Sequence, residues 1–133
     1  LSDGCLCCTV RGELVDTLAD LVDRVQTGKV AALDRIVIET TGLADPVPVL
    51  QSVMGHPALM HAFRLDGVVT VVDAVNGETT LRAHEEARRQ AAVADRIVLS
   101  KTDLADESGI TELKARLRGL NPGAEFVEAA ASG

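Results

Sequence analysis

Two kinds of hydrophobic pattern alternate along this chain. Short aliphatic runs, such as Ile36-Val37-Ile38 (β-branched throughout) and Ile97-Val98-Leu99, carry apolar residues at consecutive positions, the mark of a strand buried on both faces. Between them, leucine, valine and alanine recur every three or four positions. Leu14, Leu18, Leu21, Val22 and Val25 make one such stripe, with Asp16, Asp20, Asp23 and Arg24 on the other side. That spacing predicts an amphipathic helix starting between Thr9 and Glu13 and stopping at Gly28.

The same reading continues down the chain. Pro46 suits the first position of a helix with Asp45 as its cap, so 47–54 is read as a helix closed by Gly55-His56-Pro57. Residues 65–73 form a second buried strand ending in Asp73, and a helix opening at Asn76 or Thr79 runs to about Ala92. Its outer face carries Arg82, Glu85, Glu86, Arg88 and Arg89, a solvated charged surface. Residues 95–99 predict a third strand, 109–120 a helix ended by Asn121-Pro122-Gly123, and 125–127 a last short strand. Apolar runs alternating this regularly with helices imply an α/β fold, a parallel sheet covered by helices on both faces.

Composition narrows the partners. The chain has 133 residues, enough for one core, with 47% hydrophobic and 25% charged residues, as in ordinary globular domains. Phe63 and Phe126 are its only aromatics, so stacking platforms for nucleic-acid bases are missing. A formal charge of −7 argues against binding nucleic acid or an anionic membrane. No apolar run approaches the roughly 20 residues of a membrane helix, and no signal peptide is visible, so the expectation is a cytoplasmic protein. The chain opens on Leu1-Ser2-Asp3-Gly4 without an initiator Met and stops soon after a strand-like run, so it is read as an internal fragment.

Candidate chemistry gathers where strands end. In open α/β sheets, ligands sit at the carboxyl ends of the strands. There, Ile36-Val37-Ile38 is followed by Glu39-Thr40-Thr41-Gly42. An acid at a strand tip can hold a hydrated magnesium ion, and a glycine three residues on lets a backbone N–H approach a phosphate oxygen. Ser100-Lys101-Thr102-Asp103 follows the third strand. Its aspartate can accept two N–H bonds from guanine, whereas adenine would set acceptor against acceptor, a cost of about 1–3 kcal/mol. The Lys101 stem can lie along the purine face with its ammonium near solvent.

Cys5, Cys7 and Cys8 are the only cysteines and lie within four residues. An odd number this close argues against a disulfide framework and for binding a soft or borderline cation, or for redox use. His56, His61 and His84 are read as surface histidines.

Taken in order, CLCC, ETTGLADP, DGVVTVVDAV and ADRIVLSKTD closely resemble the GTPase domain of the CobW family, metal-handling P-loop GTPases. The resemblance covers essentially the whole chain. It implies a three-layer P-loop NTPase-like domain, with 1–133 as a part of the GTPase domain that lacks the phosphate loop and the family's C-terminal domain. By motif, Cys5, Cys7 and Cys8 match the family's CxCC metal site, Glu39 and Gly42 its ExxG catalytic segment, and Lys101 and Asp103 its guanine-specifying [NT]KxD. The implied cofactors are GTP/GDP, Mg2+ and Zn2+ or Co2+. The implied activity is GTP hydrolysis coupled to delivery of the transition metal to a client apo-metalloprotein, and homo-oligomers are compatible with it. Ser100 departs from the usual asparagine or threonine, though its hydroxyl can still tether neighbouring loops. No GxxxxGK[ST] occurs in these residues, so the lysine and amide cradle for phosphates is not among them. A thiol module without nucleotide activity, or a plain structural α/β domain, are the other readings.

Overall fold

In a computed structural model, residues 3–129 are described, with side chains from residue 11 onward. The chain divides into two units: residues 1–41 with 47–65, and Gly42–Pro46 with residues 66–133.

The first unit is helical. α1 spans Asp3–Gln26, so it begins earlier than the leucine spacing alone predicts. It stops where expected. Gly28 takes φ +76°, while its N–H and that of Lys29 donate back to Val25 and Arg24. A left-handed glycine at this position satisfies carbonyls that the helix leaves open. Leu18 and Val22 of α1 are buried with Leu59, and Leu14, Val53 and Phe63 pack around them.

α2 spans Pro46–Met54, as Pro46 forecast. The Gly55-His56-Pro57 segment ends α2 but also starts α3, Pro57–Ala62. Proline suits a first helical turn as well as a stop, and His56 Nδ1 accepts from Leu59 N at 3.4 Å as the cap. His56 thus acts locally on the backbone, and His61 is exposed.

One expectation fails here. Ile36-Val37-Ile38 is irregular chain, with Val37 83% and Ile38 41% exposed. An apolar run becomes a strand only when neighbouring strands take up its N–H and C=O groups. Among the described residues the single sheet contains β1, β2 and β3 alone, all in the other unit.

That second unit holds β1 (Val69–Asp73), β2 (Arg96–Ser100) and β3 (Glu125–Glu128), parallel and in spatial order β1-β2-β3. β1 is shorter than expected because pairing starts at Val69↔Arg96. Just before it, the Asp95 carboxylate accepts from Val68 N at 2.7 Å. Thr70, Val72, Ile97 and Leu99 point to the face covered by α4 (Gly77–Ala83), α5 (Glu85–Val93) and α6 (Glu107–Leu120). Leu81, Ala91, Leu113 and Leu117 complete this aliphatic core. The opposite face carries Val69 and Val71, 60% and 65% exposed.

α4 and α5 divide what the sequence suggests is one helix. The break lies at His84, in extended conformation and exposed. Arg88 stabilises it, its guanidinium donating to Leu81 O at 2.6 Å and Arg82 O at 3.3 Å, where α4 leaves carbonyls open. Gly77 at the start of α4 is required by packing. A Cβ there would lie 2.8 Å from Val72 Cγ1 and 3.2 Å from Leu113 Cδ2.

Candidate functional site

The parallel register sets the site. Asp73 and Ser100 are paired residues at the carboxyl ends of β1 and β2, so both strands release their polar residues at one rim. Ala74 N donates to Ser100 O at 2.9 Å, which ties the two exits together.

After Ser100 the chain turns sharply. Lys101 adopts φ 58°, ψ 31°, and Thr102–Leu104 forms one 3-10 turn closed by Leu104 N to Lys101 O at 3.0 Å. A left-handed lysine is uncommon and strained on the scale of about 1–3 kcal/mol. Surrounding contacts must hold it. Lys101 Nζ donates to Asp73 Oδ2 at 2.8 Å. Asp73 also accepts from Val75 N (2.8 Å), Asn76 N (3.2 Å) and Asn76 Nδ2 (3.2 Å). The Lys101 ammonium, opposed by desolvation and helped by the Val75 and Asn76 donors, holds the Asp73 carboxyl down at about 2. Asp103 is exposed in the first turn that follows, available to a ligand at the rim.

Beside this loop lies an open cavity of about 400 Å³. It is lined by Ala74 and Val75 after β1, Leu104 and Ala105 after the turn, and the carboxylates Glu78, Asp106 and Glu112. Glu78 is paired with Arg82 and Arg116, but Asp106 and Glu112 repel a polyphosphate, and Ser100, Lys101 and Asp103 do not line the cavity, so it is adjacent to the tetrad's site and separate from it.

Gly42 is held from another direction. Gln90 Nε2, on α5, donates to Gly42 O and to Ala44 O, both at 2.8 Å. Arg89 pairs with Asp45 on the same segment and with Glu85 Oε1 at 3.0 Å. The hydrogen bond that Arg89 donates to Asp45 and the charge of Glu85 raise the Arg89 pKa, so the guanidinium stays cationic. Nothing lies within 4 Å of the position a Gly42 Cβ would take.

Of the residues predicted from sequence, Ser100, Lys101 and Asp103 come together in one loop. Glu39 is exposed and belongs to the first unit, whereas Gly42 belongs to the second. Cys5, Cys7 and Cys8 fall within α1, and their side chains lie outside the described residues. Among the described residues no group of three or more His, Cys, Asp or Glu is placed to hold a metal ion. Asp73, Arg89 and Gln90 were not foreseen. Asp73 carried a signal, an acid ending a buried strand, but Gln90 carried none.

No described helix is long and apolar enough to cross a membrane. Among curated proteins, the zinc chaperone YjiA of Escherichia coli (strain K12) is 42% identical over 121 residues, covering 91% of this chain and 37% of that protein. The zinc-regulated GTPase metalloprotein activator 1 of Schizosaccharomyces pombe is 35% identical over 129 residues, 96% of this chain and 30% of its own. The chain therefore spans about a third of the length of these relatives. Among solved structures, Zn(II)-bound YjiA GTPase from E. coli superposes with a TM-score of 0.80 at 39% identity, covering 89% of this chain and 36% of that one. The three parallel strands and their helices thus form part of a P-loop GTPase fold. The family described as CobW/HypB/UreG, nucleotide-binding domain, matches residues 1–128, and the chain belongs to that family.

Proposed function

We propose that this chain supplies the guanine-reading part and the metal thiols of a GTP-hydrolysing metal chaperone. The observation that carries this reading is the loop after β2, where Asp103 follows a left-handed Lys101 anchored on Asp73. A loop whose strained lysine is already held needs little reorganisation when a purine arrives, and so can discriminate by hydrogen bonding. Asp103 takes the two guanine N–H groups, Lys101 lines the ring with its stem, and Ser100 tethers the loop.

Glu39 and Gly42 serve the phosphate end. Glu39 is exposed, and among the described residues it belongs to no group of three or more His, Cys, Asp or Glu placed to hold a metal ion. That donor set fits Mg2+, which takes one or two carboxylates and shares its other positions with water and phosphate. Bound there, Mg2+ would neutralise charge on the β- and γ-phosphate oxygens. Gly42 offers its N–H to the γ-phosphate, and Leu43 to Pro46 rearrange once that group is lost.

Cys5, Cys7 and Cys8 bind the cargo, zinc or a chemically similar ion such as cobalt(II). Thiolates must shed protons to bind, so affinity falls at low pH. The relatives are named as zinc chaperones and as a zinc-regulated GTPase metalloprotein activator, which supports nucleotide turnover tied to metal transfer into a client apoprotein. Homo-oligomers and cytoplasmic location remain part of the proposal.

The test uses the full-length protein. A fluorescent GTP analogue is expected to bind and to be displaced by GDP but not by ATP, and zinc affinity is expected to differ with and without GTP. Equal displacement by ATP would remove the guanine reading. Equal zinc affinities would remove the coupling and leave a thiol module.

A further inference from the structure

Gly42 is the residue in the proposed mechanism with least to hold it. It has no side chain, and nothing lies within 4 Å of where a Cβ would be. Its backbone is nonetheless fixed, through carbonyls on both sides of Leu43. A single amide, Gln90 Nε2, donates one hydrogen to Gly42 O and the other to Ala44 O, at 2.8 Å each. Arg89, the preceding residue on α5, pairs with Asp45 and so fixes the next position of the same segment.

Gln90 is itself anchored from the sheet. Thr70 Oγ1 donates to Gln90 O at 2.7 Å. Thr70 is the buried polar side chain of β1, only 8% exposed, so this bond is shielded from water. The chain of contacts therefore runs from β1 through the Gln90 backbone and side chain to the carbonyls of residues 42 and 44. The contacts of Arg89 and Gln90 with residues 42 to 45 span 44 to 48 residues of sequence, so no local propensity produces them.

We infer that Gln90 is a positioning residue for the γ-phosphate, holding the backbone of Gly42 so that its N–H is pre-aimed, with Arg89 steadying the same segment through Asp45. The inference rests on the role proposed for Gly42 above and adds the residue that makes a flexible glycine rigid enough to serve it. A glycine loses more conformational freedom on ordering than any other residue. Ordering it before the nucleotide binds removes that loss from the binding step, and the rearrangement of Leu43 to Pro46 after hydrolysis breaks these contacts. Because the contact would act only where a γ-phosphate is present, it distinguishes GTP from GDP.

The test compares two Gln90 variants of similar length in the full-length protein, using a non-hydrolysable GTP analogue and GDP. Gln90→Glu replaces two donors by acceptors facing two carbonyl oxygens. Gln90→Lys keeps a donor that can reach them. The expected result is a GTP-analogue affinity about tenfold lower for Gln90→Glu, GDP affinity within about twofold of wild type, and recovery of most of the GTP preference in Gln90→Lys. Equal losses for both nucleotides would mark Gln90 as a structural contact and overturn the inference. An unchanged or increased preference for GTP in Gln90→Glu would also overturn it. A wild-type protein that binds neither nucleotide would instead bring down the GTPase reading itself, and this inference with it.

Discussion

Lys101 Nζ meets Asp73 Oδ2 at 2.8 Å across the carboxyl ends of two neighbouring parallel strands. The pair joins the exit of β1 to the loop that reads the base. Asp73 gathers three further hydrogen bonds from Val75 and Asn76, and all four favour its ionised form. Its pKa falls from 3.8 to about 2 on folding. A carboxyl lowered in the folded state stabilises the fold above its unfolded pKa, and that stability is lost as pH falls through the folded value. Its side chain is 27% exposed, so solvent screening trims the effect to about 1–2 kcal/mol. Urea unfolding of wild type and Asp73→Asn should therefore differ by that amount at neutral pH. The gap should close between about pH 4 and pH 2. A gap that persists unchanged at pH 2 would contradict the assignment.

The base-reading role makes a sharper demand on Asp103. Asparagine keeps the size of the side chain but places an amide where guanine offers only donors. Asp103→Asn in the full-length protein should lower GTP affinity about tenfold or more, since one well-made pair to a charged group contributes about 1.5–3 kcal/mol. Xanthine carries a carbonyl where guanine has its amino group, so xanthosine triphosphate should bind this variant better than the wild type. Competition binding with the two nucleotides reads both changes. An unaltered ranking would remove base recognition from this residue.

How much of this could be read from the sequence follows from the range of each interaction. β2, β3 and α6 are set by local apolar spacing, and the tetrad's place after a strand follows from β2 alone. The Asp73 acid was visible at the end of its strand, but its partner Lys101 lies 28 positions away and depends on parallel register. The α4–α5 break escaped notice because Arg88, counted as a solvated charge, turns back to cap α4. Ile36-Val37-Ile38 misled because a β-branched run carries the preference for a strand without the neighbours that make one. Gln90 was invisible. Glutamine in a helix has no signature, and its partners Gly42 and Ala44 lie 48 and 46 positions upstream.

Close packing at the start of α4 gives a stability prediction independent of ligand. A methyl at Gly77 would meet Val72 Cγ1 at 2.8 Å and two Leu113 methyls at 3.2 and 3.3 Å. Helix propensity favours alanine over glycine by up to about 1 kcal/mol, but overpacking a close-fitting core costs about 1–3 kcal/mol. Steric conflict should win, because both neighbours are buried and Leu113 is only 2% exposed. Gly77→Ala should lower the urea midpoint with an unchanged slope. In a Val72→Ala background, itself destabilised by truncation of a buried side chain, the further cost of Gly77→Ala should be smaller because room has been made. A more stable single variant would show that the sheet and α6 can part more easily than the packing implies.

The end of α5 is held by the Ala94 N–H, which donates to Ala91 O at 3.4 Å, and by one side chain from a distant loop. Asn121 Nδ2 donates to Ala91 O at 2.9 Å and to Ala94 O at 2.7 Å, while its Oδ1 accepts from Gly123 N at 3.2 Å. Ala91 is fully buried and Ala94 nearly so, so water cannot readily replace the amide at these carbonyls. Leaving buried acceptors unsatisfied costs about 1–3 kcal/mol, against only about 0.5–1.5 kcal/mol for an average exchange with solvent. Asn121→Ala should therefore destabilise by about 2 kcal/mol. Asn121→Asp keeps the acceptor for Gly123 N but sets a carboxylate against two carbonyls, so at neutral pH it should destabilise at least as much. Protonating that carboxylate supplies one donor, which gives the aspartate variant a signature the alanine variant lacks. Its deficit should shrink as the pH falls towards the usual carboxylate range and level off below it, while the alanine deficit stays constant. Parallel pH dependence of the two variants, measured by chemical unfolding, would show that the amide's two donors are not what holds the end of α5.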